Sequence, residues 1–187
     1  MIFPTLVIDS FFEDPDKIVS YSKTLTYTPD EEKRWPGVRT ESLHQINYNF
    51  FNSTLTKIVS LLYPMEYKDV KFNATQFFQK VNKDAGLDKG NIHTDNTLLT
   101  AIIFLSNHKN CGTSLYKMQD LRKDYKESIM VDSIYNRLVI FDSAQIHAAQ
   151  GFDDGSEGDR LTLISFIGTL NHPELKYPIP EMQRILI

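Results

Sequence analysis

The chain has a single cysteine, Cys111, so no disulfide can form within it and its stability must come from packing and hydrogen bonding. It has no apolar run long enough to cross a bilayer, and its first residues carry neither the basic nor the apolar segment of a secretory leader. A reducing, cytoplasmic setting is therefore expected. Positive charge is not in excess: 20 Lys and Arg stand against 24 Asp and Glu, a formal net charge of -4. That balance argues against an electrostatic grip on nucleic acid or an anionic membrane. Glycine and proline number only eight each, and no repeat or low-complexity tract interrupts the chain.

At 187 residues and 41% hydrophobic content, the chain suits one domain with a substantial core. A short strand fits residues 3 to 8. Asp14-Pro15 then reads as an N-cap followed by proline at the first helical position. A second helix fits residues 53 to 62, where Leu55, Ile58, Val59 and Leu62 recur at helical spacing before Pro64. The segment from Tyr27 to Thr40 is polar and carries Trp35-Pro36-Gly37-Val38-Arg39, a loop-like stretch with the only tryptophan.

After Pro64 the pattern changes to β-prone pieces at about 70 to 81, 97 to 105, 113 to 117, 129 to 134, 137 to 142, 145 to 149 and 160 to 168. The expected class is α+β, mainly β: helical support over about 1–65, a β-sandwich of the double-sheet jelly-roll kind over about 66–170, and an extended tail over 171–187 with one helical turn at 181 to 186. Residues 82 to 90 have the composition of a mobile lid, and His108 reads as a solvated turn residue.

The chemistry is concentrated in Asn91-Ile92-His93-Thr94-Asp95-Asn96. Residues two apart in an extended strand share a face, so His93 and Asp95 can present an imidazole and a carboxylate to one point. His147, just behind the strand-like Arg137-Leu138-Val139-Ile140-Phe141, is the best-placed third ligand. Two imidazoles and one carboxylate on one side of a metal leave open positions opposite, the arrangement of non-haem Fe(II) oxygenases. Arg160 opens an otherwise apolar strand, and a guanidinium there requires an anionic partner. The partner could be Asp142, Asp153, Asp154 or Asp159. The far carboxylate of a metal-chelating 2-oxo acid, with the Thr162 hydroxyl adding a contact from the same face, instead explains all five residues together.

His93-x-Asp95, the distal His147 and Arg160-x-Thr162 together resemble the Fe(II)- and 2-oxoglutarate-dependent oxygenase superfamily, in particular its compact prolyl-hydroxylase-like branch. The resemblance covers about residues 70 to 170 and includes Thr100 to Leu105, Cys111-Gly112-Thr113 and Asn136 to Ser143. It implies a double-stranded β-helix (cupin-like) core, with His93, Asp95 and His147 as iron ligands and Arg160 and Thr162 holding the cosubstrate. It further implies consumption of O2 and 2-oxoglutarate, with release of succinate and CO2 and hydroxylation of a substrate. Asp95 argues against the halogenating variant, in which a small residue vacates that position. Related enzymes often place a tyrosine hydroxyl near the cosubstrate, where this chain offers Phe104; Gln76 and Lys80 are the candidate replacements. The N-terminal Phe11-Phe12-Glu13-Asp14-Pro15 and Trp35-Pro36-Gly37-Val38-Arg39 look like those of a set of small members of the superfamily. Their presence leaves the substrate open between a small molecule and a peptidyl side chain. Trp35 and Arg39 are candidates for the substrate rim. The alternatives are a non-oxidative cupin-like metalloenzyme (isomerase or hydrolase) and a catalytically silent jelly-roll binding module. Oligomeric state has no sequence signal.

Overall fold

The computed structural model describes residues 5–32, 35–82, 91–108, 111–119, 124–150 and 158–172. In chain order the elements are β1 (Leu6–Ile8), α1 (Pro15–Lys23), β2 (Tyr27–Pro29), β3 (Val38–Thr40), α2 (Leu43–Ile46), α3 (Tyr48–Leu62), β4 (Lys71–Val81), β5 (Leu99–Phe104), β6 (Thr113–Met118), β7 (Tyr125–Val131), β8 (Leu138–Asp142), β9 (His147–Ala149) and β10 (Arg160–Asn171). The protein is mostly β, and every strand pairing is antiparallel. A seven-stranded sheet runs β1-β8-β5-β10-β4-β3-β2, and a three-stranded sheet runs β7-β6-β9. No described helix is long and apolar enough to cross a membrane.

The helices form where the caps and apolar spacing demand. The Asp14 carboxylate accepts the Lys17 amide at 3.2 Å with Pro15 opening α1. Asn47 accepts the Phe50 amide at 3.1 Å, which starts α3 at Tyr48, five residues before the apolar stripe alone predicts. Phe51, Thr54, Leu55, Ile58 and Val59 make the buried face of α3. That face packs on one side of the large sheet, against Phe78, Leu99, Ala101, Ile103, Leu161, Leu163 and Ile167.

The opposite side of the same sheet meets the small one. Ile102, Phe104, Val139, Phe141 and Ile164 contribute from the large sheet, and Leu115 and Val131 from the small. Gly112 lets β6 enter against Val131, whose carbonyl oxygen lies 1.8 Å from where a Cβ would be. β10 sits between β5 and β4, so its even-numbered residues, Arg160, Thr162, Ile164 and Phe166, face the space between the sheets.

Three expectations need correction. The stretch from Trp35 to Arg39 is not all loop, because Val38 and Arg39 belong to β3, which with β2 extends the large sheet through Arg39 opposite Gln79 and Val38 opposite Lys80. The strand expected at 129 to 134 runs from Tyr125 to Val131. His108 is buried, 6% exposed, and its carbonyl accepts the Ser133 hydroxyl at 2.6 Å. The expected lid falls, apart from Asn82, outside the described residues, as do Asp153, Asp154 and the turn at 181 to 186.

Candidate metal centre

His93 and Asp95 sit in an extended segment ahead of β5, tied down by backbone bonds rather than by a full strand. His93 and His147 exchange amide-to-carbonyl hydrogen bonds of 2.9 Å in both directions, forming an isolated bridge. The Asp95 amide donates to the Ser143 carbonyl at 2.8 Å. These bonds place the segment over the end of β8 and beside β9, and three side chains far apart in sequence converge there.

His93 Nε2 lies 3.4 Å from Asp95 Oδ1, and His147 Nε2 lies 3.3 Å from Asp95 Oδ2. The ligand atoms of all three residues lie within 4.8 Å of one another. Two atoms each about 2.1 Å from one ion at right angles are roughly 3 Å apart, so the spacing suits three ligands on one side of a metal. Both imidazoles are oriented by their other nitrogen: His93 Nδ1 meets the Asn91 carbonyl at 2.6 Å and His147 Nδ1 meets the Gln145 carbonyl at 2.8 Å. With Nδ1–H donating to a carbonyl, the lone pair is left on Nε2, the atom that faces the centre. The Phe141 ring packs 4.7 Å from the His147 ring and fixes its plane.

Asp95 has its own support. Thr100 Oγ1 donates to Asp95 Oδ2 at 2.7 Å, and the Ser143 hydroxyl lies 2.8 Å from those of both Thr97 and Thr100. Burial raises the Asp95 pKa, but its contacts with His147, His93 and Thr100 outweigh that and hold the carboxyl well below the usual carboxylate range. The Asp95 carboxylate raises the pKa of His93 above its ordinary 6.5, against the opposing effect of burial.

The three residues line a cavity of about 820 Å³ that runs between the sheets. Ile102, Ile164, Phe166, Val81 and Ala149 give it apolar walls, and Arg160 and Thr162 also line it. Arg160 is 5% exposed, and burial lowers its pKa. Its Nη1 donates to the Gln150 carbonyl at 3.1 Å, its buried Nε has no hydrogen-bond partner, and among the described residues no carboxylate pairs with it. The Thr113 hydroxyl, in the same cavity and 1% exposed, is also buried without a partner. An orphaned guanidinium Nε and an orphaned hydroxyl in one cavity are costly unless an acceptor arrives from outside.

The structure thus brings His93, Asp95 and His147 together, with Arg160 and Thr162 on the wall of the same cavity. Trp35 and Arg39 line it too. Gln76 and Lys80 do not. Strand alternation turns both to the far side of β4, where Gln76 Nε2 donates to Ser165 at 2.8 Å and the Lys80 ammonium sits 3.8 Å over the Tyr27 ring. The cavity-facing glutamine is Gln79, one strand across from Thr162. Gln79, Thr100 and Thr113 escape sequence reasoning. Only Thr113, directly after Gly112 at the start of a strand, has a local signal.

The fold is shared with solved structures of the 2OG-Fe(II) oxygenase group. One is the non-heme alpha-ketoglutarate-dependent epimerase SnoN from nogalamycin biosynthesis, at TM-score 0.59 and 11% identity over 87% of this chain and 76% of that one. Another is a 2OG-Fe(II) oxygenase family oxidoreductase from Burkholderia pseudomallei, at TM-score 0.58 and 11% identity over 88% and 84%. A third is HygX from Streptomyces hygroscopicus with nickel, 2-oxoglutarate and hygromycin B bound, at TM-score 0.56 and 13% identity over 88% and 82%. By sequence, the chain belongs to the family of unknown function DUF6445, whose model matches residues 3–128. That match contains His93 and Asp95 and stops short of His147 and Arg160. No curated protein matches the chain.

Proposed function

We propose that the protein is an Fe(II)- and 2-oxoglutarate-dependent dioxygenase, a single jelly-roll domain that hydroxylates a small-molecule or peptidyl substrate with release of succinate and CO2. The observation that carries this is the pairing, in one cavity, of a His-Asp-His face with a buried guanidinium whose Nε lacks an acceptor. Two neutral imidazole nitrogens and one carboxylate fit Fe(II) and leave open positions for a chelating 2-oxo acid and O2. Arg160, with the Thr162 and Thr113 hydroxyls, fits the far carboxylate of that acid. When bound, the iron, O2 and the 2-oxo acid together supply an oxidant able to attack an unactivated C–H bond.

The chain's own residues do the positioning. The Asn91 and Gln145 carbonyls aim the two imidazoles, and Thr100, steadied by Ser143, aims Asp95. Arg160 would pair with the cosubstrate's distal carboxylate, and Ile102, Ile164 and Ala149 give the same cavity apolar walls. A single buried cysteine suits a cytoplasmic location.

Anaerobic addition of Fe(II) and 2-oxoglutarate tests this directly. A weak visible charge-transfer band is expected for the wild type and none for His147→Ala. Zinc binding without that band would favour the non-oxidative metalloenzyme, and absence of any metal binding would favour the silent module. Hydroxylation is the proposed outcome of oxidation; SnoN, described as an epimerase, shows that this fold also serves another.

A further inference from the structure

We infer that Phe166, Ile164 and Ile102 form the part of the cavity that receives the primary substrate, and that the group they receive is an uncharged carbon skeleton, aliphatic or aromatic, and not an ion. Calling the occupant a substrate rests on the proposed oxygenase activity; the apolar wall itself does not.

Strand register puts this wall at the metal end of the cavity. Phe166 stands opposite Thr100 and Ile164 opposite Ile102, on adjacent strands about 4.8 Å apart. Thr100 is the residue whose hydroxyl aims Asp95. Along β10 the cavity-facing residues run Arg160, Thr162, Ile164, Phe166, so the anchor proposed for the cosubstrate and the Phe166 ring stand at opposite ends of one row. The row also has apolar surface to cover. Ile102 and Ile164 each keep 8% of their surface exposed, where Ile103 and Leu163, their neighbours on the helix-facing side, keep none. Phe166 is only partly buried. Apolar surface left open beside a reactive centre gains free energy when an apolar ligand group covers it.

Charge points the same way. Among the described residues, the ionisable side chains lining the cavity are Asp30, Arg39, His93, Asp95, His147 and Arg160. Three are the candidate metal ligands, and Arg160 faces the cosubstrate in the proposed function. Arg39 donates to Gln79 Oε1 at 3.2 Å, and its guanidinium carbon lies 4.1 Å from the centre of the Trp35 ring. Arg39 and Asp30 hold further interactions as well. A substrate ion would therefore enter a site whose counter-charges are all engaged, and desolvating an unpaired charge there is costly. A neutral group meets no such cost.

Three probes with one ring and different charge at neutral pH test this: cyclohexylmethanol, cyclohexanecarboxylate and cyclohexylmethylamine. Each is titrated, with ligand-observed NMR as readout, into full-length protein loaded with Zn(II) and saturating 2-oxoglutarate. A parallel series uses metal-free Arg160→Met, in which no guanidinium at that position can attract the carboxylate. The alcohol should bind both forms at least about tenfold more tightly than either ion. Phe166→Ser should weaken the alcohol about tenfold, and Phe166→Leu no more than about threefold. Ile164→Thr, a smaller change of shape that sets a hydroxyl on the same wall, should weaken it several-fold and replaces Phe166→Ser if that variant fails to fold. Either ion within tenfold of the alcohol overturns the inference. So does an alcohol that binds neither form, or one whose affinity the polar substitution leaves unchanged. Loss of the chelate band with the alcohol preference intact in the metal-free series would sink the oxygenase proposal and leave the apolar wall standing.

Discussion

The two faces of strands β5 and β10 are two kinds of interior made from the same residues in alternation. Toward the helices, Leu99, Ala101, Ile103, Leu161, Leu163 and Ile167 pack among Phe51, Leu55 and Ile58 with little or no exposed surface. Toward the small sheet the same strands offer Thr100, Ile102, Arg160, Thr162 and Ile164, and the packing opens into a cavity. The first face gains stability from every methylene it hides. The second gives some of that up, holding a guanidinium whose Nε has no hydrogen-bond partner among the described residues. The face that gives up packing is the one whose cavity also holds the metal centre.

Breaking the helix-facing side should cost the most. Leu163 is fully buried between α3 and the sheet, so Leu163→Ala should remove about 2–5 kcal/mol of unfolding free energy, measured by urea denaturation. The metal affinity of the remaining folded fraction should be unchanged, because no side chain of the site is touched.

The cavity side should answer with the opposite sign. Arg160→Met removes a desolvated charge and an unpartnered Nε, at the loss of one 3.1 Å bond to the Gln150 carbonyl. Its unfolding free energy should rise by roughly 1–3 kcal/mol. The same variant should no longer bind 2-oxoglutarate while still binding Fe(II), as read by calorimetry. If Arg160→Met is instead destabilised as strongly as Leu163→Ala, the guanidinium is structural and the contrast between the faces disappears.

Much of this arrangement is legible in the chain, and the parts that are not have a physical reason. The alternation Arg160-x-Thr162 predicts correctly that both side chains share a face, because the intervening residues are apolar on the other. In Gln76-Phe77-Phe78-Gln79-Lys80-Val81 each face carries both polar and aromatic residues, so periodicity cannot say which glutamine looks into the cavity. Register against β10 decides it, and register is a tertiary fact. β2 and β3 have three residues each and include Pro29, too short for any pattern; pairing with β4 makes β3 a strand. Thr100 supports Asp95 from five residues away, a spacing with no meaning in a helix or strand, and only the turn between them creates the contact.

The smallest expected effect falls on that contact, where the two faces are one residue apart. Thr100→Val keeps the shape of the side chain and deletes the donor to Asp95 Oδ2, while Ser143 retains Thr97 as a partner. Stability should change little, since His147 still faces the carboxylate oxygen. Metal affinity should fall about tenfold, the usual cost of removing a group that orients a ligand. The pH dependence sharpens the test. Metal binding requires a neutral His93, whose pKa lies above 6.5, so wild-type affinity should decline as pH falls through that raised value. The Asp95 carboxyl titrates far lower, and losing the Thr100 bond can raise it without bringing it into that window. Thr100→Val should therefore lower the affinity curve and leave its near-neutral edge in place. An edge that moves would mean Thr100 acts through the imidazole of His93 rather than by aiming Asp95.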